Sequence, residues 1–449
     1  MTKVAYNFLN FVNFKDISLW SAAAIIGGNV QYSNKYSLAP LASFLRANVN
    51  HITIDDETLY TQLTLRTNNG GVVERGKKRG KDIGTKKQTI VNAGQFIISK
   101  IDARNGAFGI VPKELDGAIV TNDFPSFNVD TNLMLPGFLP LVTTTKQFVQ
   151  FAQSCSSGTT NRQRIDLNQF LETKVPLPTL EEQLHILSEY HAKMQQAEKL
   201  QEKAKQAEIG VDTYIMQELE IGTTANSKTY SKGHSFLQFI RLKDVGRWDV
   251  LNKRETNMSL KYQNRKFSEI IKFNPQYGAA YSSKEFDGIT RYIRITDINE
   301  DGSLNEEKVS ANGFSDQYVL EENDFLIARS GNTVGKTFLY KRNQGKAIYA
   351  GYLIRFVLNE EAVVPEFVLA YTKSTAFKTW VQSNMRVSGQ PNINSKQYMN
   401  VPIPIPPKEV QKRIVAHVTA EGQRIKSLRQ QAQTLREQAL LDFERKIFR

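Results

Sequence analysis

Cysteine is almost missing from this chain: Cys155 stands alone in 449 residues. That excludes an intrachain disulfide and a cysteine-rich zinc site. Histidine is scarce as well. His51, His185, His191, His234 and His417 show no metal-ligand spacing, and His185 and His191, six apart on a predicted helix, point to different faces. No apolar run approaches the roughly 20 residues that span a bilayer. The first residues, Met1-Thr2-Lys3-Val4-Ala5-Tyr6-Asn7, lack the apolar core of a signal peptide. No nuclease-like Asp…Glu-x-Lys cluster and no Ser/His/Asp constellation stands out. The expectation is a cytoplasmic chain with no structural metal, no membrane association and no active site of its own.

Charge is what the chain has in excess. Lysine and arginine number 58 against 45 acidic residues, a net of +13. Such an excess suits a polyanionic partner, most often nucleic acid. The length implies two to four domains rather than one core.

A period runs through the sequence. Val175-Pro176-Leu177-Pro178-Thr179-Leu180-Glu181-Glu182-Gln183 returns as Ile403-Pro404-Ile405-Pro406-Pro407-Lys408-Glu409-Val410-Gln411, with Pro176, Pro178, Glu181 and Gln183 repeated 228 residues later. The same offset relates the openings at 11–20 and 239–248, which share Phe, Lys, Asp and Trp. After each opening come short β-type runs. Residues 95–100 and 324–329 read as strands before turns that end at Gly106 and Gly335; 117–120 and 346–349 read as second apolar runs. A helical stretch follows in each copy, 138–155 and 366–385, ending in a Ser-Gly loop. The predicted fold class is α+β: two tandem mixed α/β domains, each followed by a long helix.

Each proline motif forces an extended approach to its helix. Thr179 is a candidate N-cap with Glu181 and Glu182 in the first turn. Apolar positions then recur at 4-3 spacing: Ile186, Tyr190, Ala197, Leu200, Ala204, Ala207 and Val211 in the first helix, and Ile414, Val418, Ile425, Leu428, Ala432, Leu435 and Ala439 in the second. Lys193 and Glu421 occupy the gaps at equivalent places. These are coiled-coil seams. Residues 180–220 hold nine acids and four bases; residues 407–449 hold ten bases and five acids. Opposite charge favours pairing between the two helices over self-association, and a tandem repeat folded on itself makes the pair antiparallel. The boundaries read as 1–178 for the first domain, 179–222 for the first helix, 223–235 for a linker, 236–406 for the second domain and 407–449 for the second helix.

The helix charges cancel, so the +13 belongs to the two domains. The densest basic stretch is Arg75, Lys77, Lys78, Arg79 and Lys81, continuing to Lys86 and Lys87. Its interleaved glycines predict a flexible, phosphate-contacting loop. Sparser sets in the second copy are Arg265 with Lys266, Lys341 with Arg342, and Arg386. Arg104 and Asn105 lie at a turn equivalent to the one carrying Arg329 and Asn332, and Gln390 and Asn392 lie in the second Ser-Gly loop. Arginine and amide side chains can read base edges.

Two catalytic look-alikes fail on context. Residues 330–337 resemble a nucleotide-binding loop, but Ser330 replaces its first glycine and a strand-like run, Thr337-Phe338-Leu339-Tyr340, follows where a helix should start. Asn274-Pro275-Gln276-Tyr277 resembles an amino-methyltransferase motif, but no Gly-rich cofactor loop precedes it, so it reads as a loop.

Two variable domains, each followed by a Pro-x-Pro-x-x-Glu-x-Gln motif and a long helix, resemble the specificity subunit of type I restriction–modification systems. The resemblance runs from about Phe8 to Arg449; Val410 departs from it where the first motif has Glu182. It implies two target-recognition domains, each reading one half of a bipartite, asymmetric site in double-stranded DNA. It implies paired helices that set the spacer and dock two methyltransferase subunits. S-adenosylmethionine, and the ATP and Mg of a restriction subunit, would belong to those partners, and this chain would carry no cofactor. A decoy paralogue that binds methyltransferase subunits, or an adenine methyltransferase acting alone, remain the alternatives.

Overall fold

A computed structural model describes residues 32–67, 70–145, 148–149, 156–157, 164–222, 259, 261–385 and 390–448. The two openings at 11–20 and 239–248, the linker 223–235 and Arg386 lie outside these residues. The chain forms two compact units, Met1–Lys199 with Gln431–Arg449, and Leu200–Gln430.

The first unit runs β1 (Leu38–Pro40), β2 (Leu45–Ala47), β3 (His51–Thr53), β4 (Leu59–Leu65), β5 (Val72–Arg79), β6 (Lys87–Val91), β7 (Phe96–Ile98), β8 (Phe108–Ile110), β9 (Ala118–Val120) and β10 (Ser126–Val129). Then come helix α1 (Phe138–Thr143), β11 (Ser156–Ser157), β12 (Arg164–Ile165), helix α2 (Leu167–Glu172), β13 (Lys174–Pro176) and the start of helix α3 (Leu180–Glu218). Two sheets dominate. One is antiparallel, in the order β2-β10-β7-β8; the other is mixed, in the order β3-β6-β9-β4-β5, with β4 and β9 parallel.

Strand β7 shows why the two sheets belong together. Successive side chains of a strand face opposite ways. Phe96 and Ile98 enter one apolar core, with Phe108, Phe138, Phe148 and Phe170, while Ile97 enters another with Leu63, Val91 and Val120. The three-residue strand is wholly buried because both of its faces are covered. The larger core also takes Ile186 and Leu187 from α3, Phe443 and Ile447 from the end of helix α7 (Lys408–Ile447), and Phe448 just after it.

The second unit carries β14 (Asn264–Lys266), β15 (Gln276–Tyr277), β16 (Ser283–Glu285), β17 (Arg291–Ile293), β18 (Val309–Ala311), β19 (Asp324–Ala328), β20 (Thr337–Leu339), β21 (Ala347–Tyr349) and β22 (Leu353–Val357). Helices α4 (Pro365–Tyr371), α5 (Thr375–Asn384) and α6 (Ser395–Tyr398) follow, then β23 (Pro402–Pro404). Its antiparallel sheet, β15-β22-β19-β20, reproduces the first unit's order of pairing. Strand β19 alternates in the same way: Phe325 and Ile327 enter one core, Leu326 and Ala328 another.

Inside each unit α3 and α7 run antiparallel. In the first, Glu189 pairs with Lys446 and Lys193 with Asp442. In the second, Glu208 meets Arg429 at 2.7 Å, Glu218 meets Arg413 at 2.6 Å, and the Tyr214 and His417 ring centroids lie 3.9 Å apart with the planes tilted by 32°. Three of these four ion pairs set an acid of α3 against a base of α7. Along the seams Ile186, Ala197, Ala204, Ile414, Ile425, Ala432 and Ala439 are buried, and Tyr190, Leu200, Ala207, Val211, Val418, Leu428 and Leu435 are half-buried. Gly210 and Gly422 lie within continuous helix, with nothing within 4 Å of a would-be Cβ. The two helices, 39 and 40 residues long, each extend about 60 Å at the usual rise.

Three expectations need correction. The stretch expected as a helix over 138–155 breaks after Thr143 and is helical again at Phe148 and Val149, while 150–155 lie outside the described residues. At the break the Thr144 hydroxyl donates to Pro140 O at 2.7 Å and the Thr145 hydroxyl to Val142 O at 2.8 Å, returning local bonds that compete with the helix. The stretch expected over 366–385 is two helices. Its break has the same cause: Thr372 donates back to Leu369 O, and Ser374 starts α5 by accepting the Phe377 amide. Gln276 and Tyr277, expected in a loop, form β15 against β22.

Candidate nucleic-acid interface

Each unit is tied to its helix by the proline motif. In the first, β13 pairs antiparallel with β1; in the second, β23 pairs with β14. The motif glutamines then do equivalent work. Gln183 is fully buried, accepts the Leu135 amide at 2.8 Å and donates to Leu133 O and Pro178 O. Gln411, also buried, accepts the Val364 amide at 2.8 Å and donates to Pro406 O. Thr179 caps α3 with Glu182 in a reciprocal capping box. These clamps orient the heads on the helices, and the repeat of glutamine at a fixed offset was their signal in the sequence.

The basic stretch of the first unit is not a loop. Arg75, Lys77, Lys78 and Arg79 lie on β5, the edge strand of the mixed sheet, in register with β4. Gly71 (φ 69°) closes the hairpin, with the Arg66 amide donating to Gly71 O, and Gly76 (φ 139°) lies opposite Gln62 where the register shifts. The glycines therefore mark a turn and a bulge, not flexibility. A lysine-rich edge also discourages pairing with other strands. Arg79 sits 3.5 Å from Glu57, and Lys86 bonds Asp56 at 2.5 Å and Gly80 O at 2.8 Å, so both brace the hairpin. Arg75, Lys77, Lys78, Lys81 and Lys87 are exposed and have no ion pair among the described residues. They form the free cationic surface of this head. Asn105, exposed, ends a short turn closed by Gly106 (φ 74°), with Arg104 in the same turn and Ala103 buried beneath it.

In the second unit the nominated residues separate into three groups. Arg265 and Lys266 belong to β14, the ribbon beside the proline motif. Lys341 is caged by Glu366, Glu322 and Asn323 and is structural; the Arg342 amide donates to Glu322, while the Arg342 residue is exposed. Arg329, Asn332, Gln390 and Asn392 come together. The Gly331 amide donates to Pro391 O, the Ile393 amide to Arg329 O, and Ser330 bridges Asn392. The Arg329 amide donates to Tyr352 O at 2.9 Å. Its guanidinium lies 4.8 Å over the Tyr277 ring, and its Nε is buried without a hydrogen-bond partner. Tyr277 is fixed by Ser395, donating to its hydroxyl and accepting its amide, both at 3.1 Å. Burial pushes the Tyr277 hydroxyl up, but the Ser395 bonds and the Arg329 charge bring it below its ordinary value. In the sequence Tyr277 stood out only within the Asn274–Tyr277 look-alike read as a loop, and Tyr352 not at all; the strand pairing is what brings them to Arg329.

Beside this cluster is a cavity of about 180 Å³ lined by Asn332, Lys336, Thr372, Lys373, Lys378 and Gln382, among others. Lys373 donates to Thr337 O and Oγ1, at 3.1 and 3.0 Å. Burial pushes its ammonium down to about 8, against the opposing pull of Asp301 and Glu300.

The model of the type I restriction modification DNA specificity domain matches the chain twice, at residues 48–209 and 259–437. The chain belongs to this family. Among solved structures, a chain described under the structural basis of complex assembly and conformational transition of the type I R-M system is 16% identical. It matches with a TM-score of 0.54, over 93% of this chain and 99% of that one. The HsdS subunit from Thermoanaerobacter tengcongensis is 15% identical over 94% of this chain and 98% of its own, with a TM-score of 0.41. The type I restriction-modification S subunit from M. genitalium is 13% identical over 92% and 97%, with a TM-score of 0.44. No curated protein matches. The first of these likenesses is one of fold: two tandem specificity domains and two long helices.

Proposed function

We propose that this specificity chain is the DNA-reading subunit of a type I restriction–modification complex and performs no chemistry itself. Each head reads one half of a bipartite, asymmetric site in double-stranded DNA. The paired helices set the unspecific spacer and dock two methyltransferase subunits. S-adenosylmethionine binds those subunits, and ATP and Mg serve restriction subunits in the same complex.

The observation that carries this reading is one frame used twice with different surfaces. The same antiparallel sheet and the same glutamine clamp recur, while the exposed polar groups change from a cationic edge strand to an arginine–amide cluster. Cationic side chains hold phosphates, and arginine and amide groups read bases. Sequencing methylated positions in DNA from cells carrying the complete system tests it. A two-part motif with unequal halves is expected; a continuous or palindromic motif would contradict it. The purified chain should also transfer no label from S-adenosylmethionine to DNA, and any incorporation would show an enzyme.

A further inference from the structure

Arg329 has a counterpart in the first unit, Lys100, and the two backbones are held identically. The Arg329 amide donates to Tyr352 O and its carbonyl accepts the Ile393 amide; the Lys100 amide donates to Asp123 O and its carbonyl accepts the Ile165 amide. The partners are displaced by the same repeat. What differs is the side chain and its platform. Tyr277, under the Arg329 guanidinium, corresponds at the 228-residue offset to Val49, which is 78% exposed.

We infer that Arg329 is a specificity-determining residue of the second head and reads a guanine in the major groove, a role that its backbone counterpart Lys100 does not fill. The inference rests on the DNA-reading function proposed above. The stacked tyrosine holds the guanidinium plane, and Ser395 holds the tyrosine at both polar atoms of its own residue. No carboxylate pairs with Arg329 among the described residues, while Lys336 and Lys341 in the same unit both have such pairs. Nε is sunk and unpartnered, yet the residue is only half-buried, so the exposed portion is the terminal fork. A planar fork with two parallel donors matches O6 and N7 of guanine. Fixing the plane before binding removes the rotamer cost that a free arginine would incur. Lys100 offers a rotating point charge with no aromatic platform among the described residues, which suits a phosphate. Tyr277 is a positioning residue, and Asn332 and Gln390 flank the fork as candidate neighbours.

The test is selection from a randomised duplex library by the full-length chain purified with its methyltransferase subunits. The native complex, R329K, R329A and Y277A are compared position by position. One half-site should hold a guanine that R329A and R329K turn degenerate, with discrimination at that position falling about 10- to 100-fold. The other half-site should keep its full motif. Y277A should weaken the same position less, and Y277F should leave it unchanged. Retention of every base preference in R329K and R329A overturns the inference, as does equal erosion of both half-sites. If even the native complex selects no two-part motif, the DNA-reading function itself falls, and that result is distinct from either of the others.

Discussion

At the end of a central strand the two heads solve one problem with different chemistry. The second buries Asp324 against Arg355, Oδ2 to Nε at 2.7 Å, and burial pushes the Asp324 carboxyl up despite that partner. The first has Gln95 at the corresponding place, bonded to Asn48 and Asn128 and to the Asn92 amide, with no charge. The apolar alternation of β7 and β19 is unchanged around them. The frame is therefore held by the buried faces of two short strands and by the glutamine clamps. Polar groups at the strand ends are free to diverge, and that freedom is what a family of readers with different targets requires.

The helices are the part the two units must share, so altering them should have the largest effect. Removing one heptad from the middle of both α3 and α7 keeps the seam register and shortens each by about 11 Å. The spacer between half-sites should contract by about 3 base pairs at roughly 3.4 Å each. Motif sequencing of the shortened system checks this, and an unchanged spacer would show that the helices do not set it.

The cationic edge of β5 comes next, because the second unit has no such strand among its described residues. Replacing Lys77, Lys78, Lys81 and Lys87 with glutamine should weaken binding across all sequences. It should lower the slope of log affinity against log salt by up to about 4. Arg79→Gln should do less to the slope, because Glu57 already faces it. Titrations at several salt concentrations separate the two, and an unaltered slope in the quadruple variant would place the phosphate contacts elsewhere.

Much of the frame was legible because it repeats. A fixed offset exposed the proline motifs, the matching strands and the seams, since periodic burial writes itself into sequence. The basic strand was not legible: glycine and lysine are poor strand formers, and only the neighbouring β4 supplies the partners that extend them. The breaks at Thr143 and Thr372 were hidden because single hydroxyls decide them. Arg329 could be nominated from its turn, but Tyr277 could not, since residues 52 apart meet only through β15 and β22.

The glutamine clamps test whether the shared frame is needed equally. Gln183→Ala leaves the Leu135 amide and two carbonyls without their partner; Gln411→Ala leaves the Val364 amide and one carbonyl. Each orphaned buried group costs about 1–3 kcal/mol, so each unit should be destabilised by at least that much, the first more than the second. Hydrogen exchange resolved by residue would show loss of protection confined to the unit carrying the change. Spread through both units would mean the clamps do not act locally.

The smallest difference is one of pH. Lys373 has Thr145 as its counterpart, whose hydroxyl is satisfied by Val142 O at 2.8 Å and does not titrate. Burial holds the Lys373 pKa at about 8, below its ordinary 10.5. Between those values the unfolded chain binds a proton that the folded chain does not, so stability rises with pH across that window. Its contribution is complete above 10.5 and is lost as pH falls through 8. Buried Tyr371 and Tyr398, whose hydroxyls burial pushes up, oppose the trend at the alkaline end, because unfolding frees them to ionise. The informative quantity is therefore the native chain minus K373M, measured by urea unfolding from pH 7 to 10. The native chain should gain on the variant as pH rises, with the gain confined to protection of the second unit. A constant difference across that range would mean that the Lys373 ammonium carries no burial penalty.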